Sequence, residues 1–144
     1  MTIKSIIKFL FVMSMILFYS TSFADKKPVN PSDDFYSEDK LNISVDAMHP
    51  EFTIKLKSNP TTGYSWFLRE YDANLLTPLK HKFAKPSQKL IGAPGYELWT
   101  FHVKPSGFIV PQLTTIRMVY TRPWQGMESS TQLVFRVSTL SGEK

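Results

Sequence analysis

Three histidines, His49, His81 and His102, are the first side chains in this sequence that could do chemistry. An imidazole moves a proton or holds a metal only with a partner at defined spacing, as in His-Glu-x-x-His on one helix face. These three lie tens of residues apart in no such pattern, so they predict neither a metal site nor a general base. Paired carboxylates occur at Asp33-Asp34 and Glu38-Asp39. Acid–base work needs two carboxyls at a fixed separation, and these stand in a polar segment that reads as a solvated charge cluster. There is no Gly-x-Ser-x-Gly elbow and no glycine loop for phosphate. The complete lack of Cys removes thiol nucleophiles, redox exchange and thiolate ligands. No catalytic residue, metal site or cofactor is expected, and the protein is not read as an enzyme.

The residues that stand out belong instead to three connections suited to contact. Asn59-Pro60-Thr61-Thr62-Gly63-Tyr64 is the first. Pro60 fixes its own φ and keeps Asn59 extended, while Gly63 permits a positive φ where the chain enters the next strand. The expected result is a stiff tip presenting two small hydroxyls. Gly92-Ala93-Pro94-Gly95 is the second, a stretch without bulky side chains that lets backbone approach a partner. Arg122-Pro123-Trp124-Gln125 is the third, with Arg and Trp, the side chains most enriched at binding hot spots, on either side of a rigid Pro. Taken singly, an Asn-Pro or Gly-rich tetrapeptide is ordinary hairpin material; a Trp in a turn is less ordinary, and a core place is the lesser alternative for Trp124.

Period-two alternation defines the elements that must carry these loops. Leu41, Ile43 and Val45 alternate with Asn42, Ser44 and Asp46, and Phe52, Ile54 and Leu56 with Thr53, Lys55 and Lys57. The same pattern covers Tyr64 to Leu68, Tyr96 to Val103, Thr115 to Tyr120 and Gln132 to Val137, as expected for half-buried strands. Trp66 and Trp99 fall within these runs and are expected inside. Tyr71 to Lys85 predicts one further, irregular strand. About seven strands separated by turns predict an all-β, immunoglobulin-like β-sandwich forming a single domain over residues 41–144. In that order the three connections fall at one end of the sandwich.

The first 24 residues stand apart. Lys4 and Lys8 precede an apolar run from Phe9 to Tyr19, and Ser22-Phe23-Ala24 offers small residues for an export peptidase. The run is shorter than the roughly 20 residues that span a bilayer, so it predicts a cleaved signal peptide and no stable membrane anchor. Cleavage after Ala24 would leave 15 basic against 12 acidic side chains, a net +3 in place of +5. That weak, dispersed charge does not predict a nucleic-acid partner. Residues 25–40, rich in Asp, Ser, Pro and Lys, read as a flexible leader. The expected location is periplasmic or secreted, or secretory or lysosomal in a eukaryote, where Asn42-Ile43-Ser44 would also fit a glycosylation acceptor.

In order and spacing, Asn59-Pro60-Thr61-Thr62-Gly63-Tyr64, Gly92-Ala93-Pro94-Gly95 and Arg122-Pro123-Trp124 resemble the chagasin family of cysteine peptidase inhibitors. The likeness runs from Leu41 to about Leu140. Pro94 departs from it, standing where the stricter Gly-x-Gly-Gly form has a Gly. The resemblance implies an immunoglobulin-like sandwich that blocks papain-like cysteine peptidases reversibly and without covalent chemistry; the free protein is expected to be a monomer. It places Thr61 and its neighbours near the target's catalytic Cys, residues 92–95 along one cleft wall, and Arg122 and Trp124 on the other. The alternative is an exported carbohydrate- or protein-binding module, in which Trp124, Tyr64 and Trp99 would form a coplanar platform for sugar rings. A structural or adhesive domain would explain the fold but not the three motifs.

Overall fold

The computed structural model describes residues 35–86, 92–126 and 130–141. The expected signal peptide and the first part of the leader lie outside the described residues. Eight strands follow in order: β1 (Phe35–Tyr36), β2 (Asn42–Val45), β3 (Glu51–Ser58), β4 (Ser65–Glu70), β5 (Leu76–Ala84), β6 (Gly95–Val103), β7 (Leu113–Thr121) and β8 (Thr131–Thr139). They form two four-stranded sheets, ordered β1-β3-β6-β5 and β2-β8-β7-β4, packed as an immunoglobulin-like sandwich.

The alternation sets the inner faces. Phe52, Ile54, Leu56, Phe101 and Val103 of one sheet meet Ile43, Ile116, Met118, Phe135 and Val137 of the other, and all are buried. Each such side chain withdrawn from water contributes about 1.5–3 kcal/mol, which lets this Cys-free domain hold together by packing. Trp66 joins this core. Its indole N–H donates to the Lys57 carbonyl of the facing sheet at 2.9 Å, so its one polar atom is satisfied where it is buried.

Two expectations need correction. The flexible leader does not extend to residue 40. Phe35 and Tyr36 pair parallel with Thr53 and Ile54, and Tyr36 is buried with its ring edge-on to Phe52. A lone aromatic pair among charged residues gives no periodicity to read, which also explains why eight strands appear instead of about seven. Trp99 is only half-buried: it lies in β6 beside the edge strand β5, stacked on His81 with 3.8 Å between ring centroids. The irregular strand expected before Lys85 is β5, whose pairing with β6 shifts between Pro78 and Lys80. Pro78 has no N–H for the ladder, so the break falls where the backbone chemistry requires one.

Candidate functional site

Strand register brings the three connections to one end. Ser58, where β3 stops, pairs with Gly95, where β6 starts, and Ala84 at the end of β5 pairs with Tyr96. In the other sheet Ser65 pairs with Thr121 and Tyr120 with Thr131. The links β3–β4, β5–β6 and β7–β8 therefore leave the sandwich side by side.

The first link is a single 3₁₀ turn, Pro60–Thr62, with no buried residue. Pro60 opens it, where a missing N–H costs nothing, and Gly63 closes it at φ 81°, in the left-handed region that side chains with a Cβ avoid. The two hydroxyls expected at the tip turn back on the loop instead. Thr61 Oγ1 donates to Asn59 Oδ1, and Thr62 Oγ1 to the Asn59 carbonyl, both at 2.6 Å. Asn59 is thus the internal strut of the tip. It also reaches outward: its backbone N–H donates to Tyr120 Oη at 3.0 Å, and its side-chain amide to the Gly92 carbonyl at 3.2 Å.

The third link braces the first from the other side. Arg122 Nε donates to the Thr62 carbonyl at 3.0 Å, and the guanidinium lies 4.5 Å from the centre of the Tyr64 ring. Tyr64 Oη donates to Gln125 Oε1 at 3.3 Å, and Gln125 N–H closes the turn onto the Arg122 carbonyl at 3.0 Å. Trp124 follows the exposed Pro123 and is itself 73% exposed. Its ring edge lies over Gly63, where an added Cβ would come within 3.0 Å of it. Below these contacts Tyr64 stacks on Tyr120 at 5.3 Å, and Tyr120 lies tilted against Trp66 at 5.0 Å. A column of rings therefore runs from the tip into the core. Tyr120 is the member that sequence reading left out of the site, because its place in the β7 alternation marks only an inward-facing residue.

In the second link, Gly92 and Pro94 are exposed and Ala93 is half-buried. Gly95 lies deeper than the rest of the link. It is buried in the first position of β6, and a Cβ there would lie 2.4 Å from both the Ala84 carbonyl oxygen and the Phe83 ring. It serves close packing of the sheet and has no tip surface to offer.

Chemically the described residues of the tip make a contact surface. Both Thr hydroxyls donate to Asn59, and Arg122 is the only Lys, Arg, Asp or Glu within the three motifs. Its guanidinium is already engaged within the tip, so docking requires little fresh desolvation of charge. No group of three or more His, Asp or Glu gathers into a metal-binding cluster among the described residues.

The chain is similar to known proteins in sequence and in fold. Residues 47–138 match the family model described as chagasin family peptidase inhibitor I42. Over 77 residues the chain is 36% identical to chagasin of Trypanosoma cruzi, a match covering 51% of this chain and 66% of that protein. Among solved structures, it is similar to the cysteine protease inhibitor EhICP2 of Entamoeba histolytica, with a TM-score of 0.60 at 22% identity, covering 73% of this chain and 93% of the other. The solution structure of amebosin gives a TM-score of 0.56 at 21% identity, covering 73% and 95%.

Proposed function

The chain belongs to the chagasin family of peptidase inhibitors, and on that premise we propose that it inhibits papain-like cysteine peptidases reversibly and non-covalently, entering their cleft with the tips of its three loops. The observation that carries this reading is the bracing of the loops into one unit, by Asn59 to Gly92, Arg122 to Thr62 and Tyr64 to Gln125, with Trp124 left exposed on it. A surface fixed before it meets its target loses little conformational entropy on docking. A Pro60-started 3₁₀ turn also cannot take up the extended backbone of a substrate strand, so the loop fills space without presenting a cleavable bond in line.

In this proposal Thr61 and Thr62 lead toward the catalytic Cys. Gly92, Ala93 and Pro94 line one wall through backbone and small side chains, and Pro123 and Trp124 pack on the other. Asn59, Gly63, Tyr64 and Arg122 hold these in place, and Gly95 supports the sheet beneath. The sugar-platform reading has less support, because the Tyr64 ring lies between Arg122 and Tyr120 and Trp124 stands alone at a loop tip. We further infer export by the N-terminal signal, a mature start at Asp25, a monomeric free state and a target peptidase that is the producer's own or foreign. Titrating the chain from Asp25 onward against active papain, with trypsin as control, tests the proposal. Papain is expected to lose activity reversibly and trypsin to keep it.

A further inference from the structure

Glu97 is a carboxylate on an otherwise apolar face. It points inward from β6 on the face of Trp99, Phe101 and Val103 and is 2% exposed. A charge withdrawn from water in this way persists only where hydrogen bonds replace its hydration. Its Oε1 accepts from Ser58 Oγ at 2.6 Å and from the Trp66 backbone N–H at 3.1 Å. Its Oε2 lies 2.9 Å from His81 Nε2 on β5.

The two donors to Oε1 have a telling position. Ser58 immediately precedes Asn59, and Trp66 follows Tyr64 by two residues. One oxygen therefore closes the neck of the first loop, tying the last residue of β3 in one sheet to the second residue of β4 in the other. Hydrogen bonds to a carboxylate are shorter and roughly twice as strong as neutral ones, and at 2.6 Å the Ser58 bond has the length expected of one. His81 holds the second oxygen and is itself kept in place by its stack on Trp99. The carboxylate thus cannot swing away from the neck without losing His81.

We propose that Glu97 is a positioning residue for the first inhibitory loop: through Ser58 and Trp66 it fixes the spacing and direction of the strands from which Asn59–Tyr64 projects. The consequence for inhibition rests on the functional reading above, whereas the ordering of the loop does not. Backbone exchange separates a positioning role from a general contribution to stability. The Thr62 N–H donates to the Asn59 carbonyl and the Gly63 N–H to the Pro60 carbonyl, so both amides report on the turn itself.

The experiment compares the parent chain, Ser58→Ala and Glu97→Gln by native-state amide exchange and by titration against papain. Ser58→Ala removes one donor at the neck. It is expected to speed exchange at Thr62 and Gly63 while leaving Ile116 and Phe135 of β7 and β8 unchanged, and to weaken inhibition about tenfold, the scale of one lost bond to a charged group. Glu97→Gln keeps one oxygen for both donors but loses the carboxylate that strengthens their bonds, so it should speed exchange at Thr62 and Gly63 and weaken inhibition, each by less than Ser58→Ala. Unchanged exchange at Thr62 and Gly63 in Ser58→Ala overturns the proposal. So does equal acceleration throughout the sandwich, which would make Glu97 an ordinary core partner. If the parent fails to inhibit papain, the functional reading falls, and the exchange pattern still decides the positioning role.

Discussion

The two ends of this sandwich are finished in different ways. At the far end, connections are fastened to themselves and to strand ends. Asp46 accepts from the backbone N–H groups of Met48 and His49 at 2.9 and 2.8 Å, and Asp72 from that of Asn74 at 2.9 Å. The Gln112 N–H donates to Thr139 Oγ1 at 2.8 Å, and buried Leu75 and Gly107 anchor two of these links in the interior. At the other end the Pro60–Thr62 turn buries nothing, and the loops are tied to one another by Asn59, Arg122 and Tyr64. Loops held by the core serve the fold, whereas loops held by each other make a shaped surface whose loss the fold can tolerate. Substitutions at the far end and in the interior should therefore register as stability, and those at the tip as affinity.

The largest expected effect is at Trp66, where the ring column from the tip enters the core. Trp66→Ala should lower stability by about 3–5 kcal/mol, as for other buried aromatics, and an unchanged melting temperature would break the distinction at its root. Next is Gly95→Ala, which lies in the tip's sequence motif yet should behave as a core change. Overpacking against the Ala84 carbonyl and the Phe83 ring should cost about 1–3 kcal/mol of stability, with the folded fraction still inhibiting. Trp124→Ala should do the reverse. At 73% exposure its removal should leave the melting curve nearly in place, while inhibition weakens by about 2 kcal/mol, roughly thirtyfold. Thr61→Ala, which truncates a much smaller contact, should weaken inhibition less.

The smallest effect is expected at Asp46. Burial pushes its carboxyl up, but the backbone N–H groups of His49 and Met48, with the His49 ring, more than offset this and hold it below the ordinary carboxylate value. A lowered folded-state value means stability that is present above the unfolded value, about 3.9, and lost as pH falls through the folded one. Asp46→Asn should remove a small part of the acid-side slope of stability and leave inhibition of papain untouched. A change in inhibition there would show that the two ends are coupled.

Much of this was legible in the residues. Strict alternation exposes the core of β2, β3, β6, β7 and β8 directly, because a half-buried strand leaves only one face to the interior. The three loops were legible because Pro and Gly restrict backbone in ways few other residues do. What periodicity could not show was partnership across the gap between sheets. Nothing local says that Thr61 and Thr62 spend their hydroxyls on Asn59, that Arg122 reaches back to Thr62, or that Tyr120 joins Tyr64 to Trp66. Nor does anything local say that Gly95 is buried, since its neighbours Phe83 and Ala84 are brought by β5 pairing. Glu97 did leave a trace: a carboxylate in register with Trp99 and Phe101 on an inward face demands buried partners, and Ser58, Trp66 and His81 supply them.

The central claim is that the braced end, and not the far end, stops a papain-like peptidase. The most direct test is one titration of active papain with the chain from Asp25 onward, run beside Trp124→Ala and a far-end control, Ile109→Ala, whose side chain is 79% exposed at the opposite end. Activity should fall in proportion to inhibitor and recover on dilution, with Trp124→Ala shifted roughly thirtyfold and Ile109→Ala superimposable on the parent. Papain that stays fully active in a large molar excess of the folded parent would contradict the claim.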